Sequence, residues 1–356
     1  MDTALRSPNW IGDGIMALPA IRACKKYFPK DRLTLVVKSY LADIFLHVAE
    51  IDQVIAIPDR WSARSYAQSA SMIRDNSFGR GILFTNSFSS ALLFRLAGIR
   101  TLSGYDRDGR GWLLADKIPC VDDSRHHQYY YLKIIEHLAG QELPGPFPAS
   151  LVISAAERSQ ASALLSGLGI QAGPGLLAIG PAAAYGSAKT WLPERFRAVI
   201  EAWLESHPDA EILLLGSRGE KEAIDKISAG LAGPIHNLAG LLTLRQTILL
   251  LSRCRLVICN DSGLMHVASS LNIPLLAIFG PTVSAKTSPL GAPYRLLQHG
   301  ADCAPCRHRE CPTDHRCMTA VTRDEVLAAA EELWQHKSSA YPGGSDLSVP
   351  VGDRLK

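Results

Sequence analysis

The feature that most constrains this chain is a repeated alternation of short, almost wholly apolar runs with longer segments of helical period. Residues 33–37 (LTLVV) and 81–84 (GILF) read as buried strands in the first half, and 176–179, 211–215, 256–259 and 275–279 do so in the second. A strand that is apolar on nearly every residue needs cover on both faces, which is the situation of a parallel sheet flanked by helices. Helical patterns fill the intervals at 193–206, 220–231, 244–253 and 263–271. The alternation therefore predicts an α/β chain of βαβ units wound into doubly covered sheets.

At 356 residues there is room for two such domains. Residues 141–148 carry three prolines and a glycine, and 167–175 carry four glycines and a proline, with one helix expected between them at 155–166. Two Rossmann-like halves are expected, 1–165 and 166–337, the second closing on an amphipathic helix at 323–335. The Ser-, Gly- and Pro-rich stretch 338–356 reads as a disordered tail.

Composition narrows the function classes. The chain is 47% hydrophobic and 20% charged, as a globular protein with a substantial core should be. No run of 18 apolar residues is present and the N-terminus has no secretory pattern, so a cytoplasmic protein is expected. The balance of 37 basic against 34 acidic residues gives a net charge of +3, too little to argue for nucleic acid. Local basic groups at Arg100, Arg107 and Arg110, and at Arg307, His308, Arg309, His315 and Arg316, fit an anionic substrate or membrane surface, or a solvated face.

Of eight cysteines, Cys24, Cys120, Cys254 and Cys259 stand singly in apolar contexts. Cys303, Cys306, Cys311 and Cys317 form C-x2-C-x4-C-x5-C, in which only the first pair has metal-ligand spacing. A structural metal site and a thiol-lined loop are both open readings.

Three glycine-bearing loops carry the candidate chemistry. The first, Ser7 to Ala17, contains Gly12-Asp13-Gly14 where a short strand at about 3–6 turns into a helix. It formally matches G-x-G-x-x-A, but Lys38 stands where a dinucleotide fold places an acid, which weakens an NAD-dependent reading. What remains is a carboxylate at the ligand edge of an open sheet, able to take a proton from an attacking hydroxyl, or else to cap the helix.

The second loop runs from Ile179 to Trp191, where small residues allow close backbone approach and Lys189 supplies a positive charge for a diphosphate, unless it is merely solvated. The third is Cys259-Asn260-Asp261-Ser262-Gly263-Leu264-Met265-His266, a strand running into a helix whose free N–H groups and dipole suit a phosphate. Asp261 or Ser262 could equally be a plain N-cap, and His266 a core histidine. Phe279 to Thr282 is a further strand-end loop at the same edge. No D-x-D metal signature accompanies these loops, so Lys189 and backbone dipoles, rather than a divalent cation, would stabilise a leaving diphosphate.

At NWIGDGIMALPAIRACKKYFP, LFTNSFSSALLFRLAGI, GPAAAYGSAKTWLPERF and NDSGLMHVASSLNIPLLAIFGPT the chain resembles the ADP-heptose:lipopolysaccharide heptosyltransferases, glycosyltransferase family 9. The likeness covers about residues 5–335, and Asn86-Ser87-Phe88 with the cysteine loop is most similar to the heptosyltransferase II branch. The resemblance implies a GT-B fold, two Rossmann-like domains facing across a cleft, with inverting, metal-independent transfer and no cofactor. It implies Asp13 as general base, and Lys189 and Asp261 to His266 around the donor diphosphate. Glu220, with Glu222 close behind, would hold the ribose, and Asn86, Ser87, Arg107 and Arg110 would meet the acceptor. The implied partners are ADP-heptose, a lipid A–Kdo–heptose acceptor and, peripherally, the inner membrane. A family member with another acceptor and a non-catalytic nucleotide-sugar-binding protein are the competing readings. The polar opening Met1-Asp2-Thr3-Ala4-Leu5-Arg6 departs from the family's clean apolar first strand.

Overall fold

A computed structural model describes residues 2–120, 124–145, 147–171, 175–306 and 308–335. The expected tail 338–356 and Arg307 lie outside the described residues.

The described chain forms two six-stranded sheets in which every pairing is parallel. The first contains β1 (Thr3–Arg6), β2 (Leu33–Lys38), β3 (Gln53–Ile57), β4 (Arg80–Leu83), β5 (Leu102–Tyr105) and β6 (Asp116–Ile118), in the order β3-β2-β1-β4-β5-β6. The second contains β7 (Leu176–Gly180), β8 (Glu211–Leu214), β9 (Ile235–Asn237), β10 (Leu256–Asn260), β11 (Leu275–Phe279) and β12 (Tyr294–Gln298), in the order β12-β11-β10-β7-β8-β9. The two orders are the same winding, so each sheet reverses direction between its first and fourth strands. At such a switch point the connecting helices diverge and leave a crevice beyond the carboxyl ends of the strands. The two-Rossmann architecture implied by the family resemblance is thus present.

The helices connect the strands in sequence. In the first half they are α1 (Ile11–Met16), α2 (Leu18–Tyr27), α3 (Ala63–Arg74), α4 (Phe88–Leu96) and α5 (Gln128–Ala139). Then come α6 (Ala155–Gly167), α7 (Pro193–Ser206), α8 (Lys221–Ser228), α9 (Leu244–Leu251), α10 (Gly263–Ser270), the short α11 (Ser284–Thr287) and α12 (Arg316–Thr319), and α13 (Arg323–Gln335). Local chemistry sets several starts. Ser154 with Glu157 and Thr243 with Gln246 form capping boxes that begin α6 and α9, and Pro193 opens α7 where its missing N–H costs nothing.

The apolar faces form three clusters. One lies under α3 and α4 and includes Ala4, Val36, Leu83, Leu93 and Phe94. A second lies under α7 and α13 and includes Ile179, Trp203, Ile258 and Trp334. The third is shared by both halves, running from Ile15, Leu18 and Ile21 to Leu250, Met265 and Ala268. It seats α1 against α10, and the 3-10 turn Ser39–Phe45 against α9. With each fully buried aliphatic side chain worth about 1.5–3 kcal/mol, this shared core fixes how the two switch points face one another.

The polar first strand packs without voids in its bonding. β1 is buried at every residue and pairs on both sides, with β2 and β4. Thr3 Oγ1 donates to Asp31 Oδ2 at 2.8 Å. Arg6 donates to the Ser7 carbonyl at 2.6 Å, to the Val36 carbonyl at 3.2 Å and to Asn9 Oδ1 at 2.7 Å. Burial pushes its guanidinium down to about 10, still charged at neutral pH. The buried arginine thus braces the turn that carries Asp13.

Candidate functional site

Asp13 stands in the first turn of α1, at the carboxyl edge of β1. The helix is capped at Trp10 with no side-chain bond, so Asp13 is not the cap that its residue type allows. Its side chain is 28% exposed. Burial by its surroundings raises its pKa from 3.8 to about 6, against the pull of Lys189. His127 Nε2 stands 3.8 Å from its Oδ1. A carboxylate poised near neutrality and free of capping duties has the properties of a general base.

The turn that holds Asp13 meets the third loop of the other half at contact distance. A Cβ at Gly12 would sit 2.6 Å from His266 Cδ2, and one at Gly263 would sit 2.9 Å from Ile11 Cβ. Glycine at both places lets α1 and α10 approach closely enough to bring two switch points into one site. His266 is buried, and desolvation pushes its pKa down to about 4, so the imidazole is neutral at working pH.

Across from Asp13, Lys189 Nζ donates to Asp261 Oδ2 at 2.6 Å, and Thr282 Oγ1 donates to the same oxygen at 2.8 Å. Lys189 therefore is not the solvated lysine its sequence context permits. The loop beneath it has little freedom. Gly186 adopts φ 148°, and a Cβ there would lie 2.2 Å from the Arg309 carbonyl oxygen. The Ala188 N–H donates to that carbonyl at 3.0 Å, and His315 Nε2 lies 2.9 Å from the Ala188 carbonyl.

At the start of α10, Ser262 occupies the cap position but forms no cap bond, and its buried Oγ has no hydrogen-bond partner. Asn260 accepts from the Trp191 N–H at 3.0 Å while its buried Nδ2 is unpartnered. An uncapped helix start, an unpartnered hydroxyl and a lysine held beside them offer donors and positive charge of the kind an anion takes.

The remaining sequence candidates divide. Leu264 fills the space over Gly180 and Met265 is fully buried, so their side chains pack and only their backbone belongs to the helix start. Glu220 accepts from the Ser217 N–H at 2.7 Å in a capping box, and Glu222 pairs with Lys226 on an exposed face. Of the residues expected to meet the acceptor, Asn86 Oδ1 accepts from Tyr130 Oη at 2.9 Å, and Ser87 caps α4 through a bond from the Ser90 N–H at 3.3 Å. Arg107 is exposed and reaches Cys120 Sγ at 3.8 Å. Arg110 is neither solvated nor surface-facing. It is fully buried, donates to the Tyr105 carbonyl at 3.0 Å and to the Thr85 carbonyl, and leaves one terminal nitrogen unpartnered. Desolvation pushes it down to about 10. It ties the ends of β4 and β5 together behind Asn86.

Cys303, Cys306, Cys311 and Cys317 are free thiols lining a cavity of about 90 Å³ that also touches Ala188. Among the described residues, no three His, Cys, Asp or Glu side chains are placed to hold a metal ion. The loop that carries them lies against the Lys189 turn.

Sequence reading missed the aromatic and histidine cluster at the start of α5. His127 stacks on Tyr130 at 5.1 Å and 9°, and Tyr131 Oη lies 3.3 Å from its Nε2. Its N–H donates to the Lys286 carbonyl at 2.8 Å, and His126 Nε2 lies 3.0 Å from the Ser288 carbonyl, so this segment bridges the halves beside Asp13. The compact run His126-His127-Gln128-Tyr129-Tyr130-Tyr131 was the available signal.

Comparison with known proteins accords with this geometry. The family described as glycosyltransferase family 9 (heptosyltransferase) matches residues 67–316. The chain is 28% identical over 306 residues to lipopolysaccharide heptosyltransferase 2 of Escherichia coli K12, covering 82% of this chain and 86% of that protein. It is 27% identical over 349 residues to lipooligosaccharide heptosyltransferase 2 of Haemophilus ducreyi, covering 94% and 99%. The solved structure of E. coli ADP-heptose lps heptosyltransferase II superposes with a TM-score of 0.81 at 24% identity, covering 94% of this chain and 98% of that one.

Proposed function

From the premise that this chain belongs to glycosyltransferase family 9 and is a glycosyltransferase, we propose that it moves heptose from ADP-heptose to the first heptose of the lipopolysaccharide inner core. The observation that carries the reading is the pairing of two unlike switch points. A carboxylate with a pKa of about 6 faces an uncapped helix start with a fixed lysine. Asp13 takes the proton of the acceptor hydroxyl as its oxygen bonds to the anomeric carbon. The bond from that carbon to the diphosphate oxygen breaks, and ADP departs with the bonding pair. Attack from the side opposite the leaving group inverts the anomeric centre. Lys189, oriented by Asp261 and Thr282, and the free N–H groups at the start of α10 balance the charge on the diphosphate without a metal.

His266, kept neutral by burial, adds no competing positive charge between base and lysine. Asn86 and Arg107 stand on the acceptor side, with Arg110 holding the loop that presents them. Glu220 follows β8 and is the ribose candidate, provided its carboxylate exchanges the Ser217 N–H for a ribose hydroxyl.

A second reading keeps the chemistry and changes the acceptor. Relatives named lipopolysaccharide heptosyltransferase 1, from Pseudomonas aeruginosa, and 3, from E. coli, match at 26% over 349 residues and 23% over 340 residues. Among the described residues no helix is long and apolar enough to cross a membrane. We propose that contact with a lipid-linked acceptor is peripheral, at the cytoplasmic face.

The test is transfer from ADP-heptose, with EDTA present, to truncated acceptors bearing no, one or two heptoses. Turnover confined to the one-heptose acceptor is expected. Turnover confined to another acceptor selects the second reading, and turnover that EDTA abolishes removes the metal-independent mechanism.

A further inference from the structure

We propose that residues 303–317 form a redox-modification site: Cys311 exchanges with a small-molecule disulfide, a second thiol of the loop resolves it, and the internal disulfide loosens the turn that carries Lys189. The effect on donor binding rests on the reading of Lys189 given above; the exchange and the loosening do not.

Four of the chain's eight cysteines fall in this span, and all four line one cavity of about 90 Å³. About three waters at liquid density would fill such a space, so cysteines on its walls face one another at short range. Cys303 is exposed, Cys306 and Cys311 are partly exposed, and Cys317 is buried. Burial pushes the Cys317 thiol up, and the other three thiols add to the effect, so all three lie within electrostatic reach of it. Elsewhere the contrast is plain. Cys24, Cys254 and Cys259 are buried, and desolvation pushes the first two up to about 12 and the third higher still. Thiols of that kind are inert packing groups.

Cys311 is the thiol set up to react. Its Sγ lies 3.5 Å from Thr313 Oγ1. That hydroxyl, with the Thr313 and His315 backbone, holds the thiol below its ordinary value. A partly exposed thiolate attacks one sulfur of a disulfide such as oxidised glutathione. The reagent's S–S bond breaks, and the first glutathione leaves with the bonding pair and takes up a proton. A second thiolate of the cavity then attacks the Cys311 sulfur and releases the second glutathione in the same way. Two cysteine thiols are oxidised to one disulfide, one glutathione disulfide is reduced to two thiols, and the two protons move with them.

Connectivity carries the change to the turn. The Arg309 carbonyl accepts from the Ala188 N–H at 3.0 Å, and His315 Nε2 lies 2.9 Å from the Ala188 carbonyl. Arg309 stands between Cys306 and Cys311, and His315 between Cys311 and Cys317. Every disulfide that Cys311 makes within the loop therefore encloses one of the two residues that hold Ala188. The contact has no slack to absorb a shift, since a Cβ at Gly186 would already lie 2.2 Å from the Arg309 oxygen. On the other side of the cavity the Cys306 N–H donates to the Pro281 carbonyl at 2.8 Å, next to Thr282, which shares Asp261 with Lys189. Lys189 thus sits on a turn whose supports both come from the cysteine loop.

The experiment equilibrates the reduced full chain in buffers of rising glutathione disulfide to glutathione ratio and maps disulfides by peptide mass spectrometry. Hydrogen exchange at residues 186–190 and calorimetry with ADP are then compared between the two forms. The expected result is an internal disulfide containing Cys311, exchange at 186–190 faster by severalfold, and ADP binding weaker by about tenfold, all restored by dithiothreitol. Cys311→Ser should form the disulfide at least about tenfold more slowly while its reduced form binds ADP as the parent does. Cys120→Ser should change neither. A chain that forms no internal disulfide at any ratio, or forms one without Cys311, overturns the proposal. So does a disulfide that leaves exchange at 186–190 unchanged, or a tightly held metal whose removal is needed before the thiols react. If the disulfide forms and the turn loosens but neither form binds ADP, the redox site stands and the donor reading fails.

Discussion

The two switch points of this molecule share a topology and differ in chemistry. Both sheets wind in the same order, and both place a strand-to-helix turn at the reversal. In the first half the turn after β1 carries Asp13, raised to about 6 in a partly covered niche and braced by buried Arg6. In the second half the turns after β7 and β10 carry Lys189 and an uncapped helix start, tied together by Asp261. Winding decides where a ligand can sit. Under the proposed function, the side chains at each turn divide the work, one taking a proton and the other holding an anion.

Removing the base tests the division most severely. Asp13→Ala should lower kcat by about 10²–10⁴-fold, the usual scale of general-base help, while calorimetry finds the ADP affinity unchanged. A parallel loss of ADP affinity would show that both halves bind the donor and that the roles are not divided.

The lysine comes next. Lys189→Met leaves Asp261 buried without its partner, so stability should drop by about 3–5 kcal/mol, and transfer from ADP-heptose should slow. Adding Asp261→Asn should restore most of the melting temperature but not the rate. Recovery of both by the double variant would reduce the pair to a structural role.

The pKa of Asp13 gives a finer test. Its folded pKa lies above the unfolded value of 3.8, so ionisation costs folding energy. That cost is absent below pH 3.8 and complete above about 6. Asp13→Asn should therefore be more stable than the parent at pH 8, by about 1–3 kcal/mol, with the gap closing as pH falls through that window. In the parent chain, kcat/KM should rise with pH through about 6 and then level, because only the ionised carboxylate accepts a proton. An inflection near 4 would mean that the niche does not shift the group.

The smallest effect probes how closely the halves meet. Gly12→Ala sets a methyl against His266, and overpacking of this kind costs about 1–3 kcal/mol unless the ring moves. Because α1 and α10 share a core, the rate should fall more than stability does. Unchanged kinetics would show that the spacing of the two turns has slack.

Much of the scaffold was legible. The helix at 193–206 begins and ends, and the one at 323–335 begins, where the sequence pattern puts them, because acidic first turns and apolar period agree there, with a proline at the start of the first. The central strands β2, β4, β7, β8, β10 and β11 were visible as apolar runs. The strands β3, β5, β6, β9 and β12 were not. They are short, alternate in burial as Gln53–Ile57 does, or are partly exposed as Tyr294–Gln298 is, and their extended form is imposed by the neighbour they pair with. The places of Asp13, Lys189 and the start of α10 at strand ends were readable because glycine-bearing turns mark where a strand gives way to the next element. His127 was hidden, since its nearness to Asp13 depends on α5 packing against α2.

The sequence by itself determined the alternation of strands and helices, the turns at the central strand ends and the residue types available there, because hydrophobic period and turn chemistry are local properties. Tertiary structure alone decided their states. Asp13 was freed from capping, Lys189 was bound to Asp261, Arg110 was buried behind Asn86 rather than exposed beside Arg107, and the four thiols were set under a loop. Burial and partnership depend on residues far apart in the chain, and only the packed core that joins the two halves brings them together.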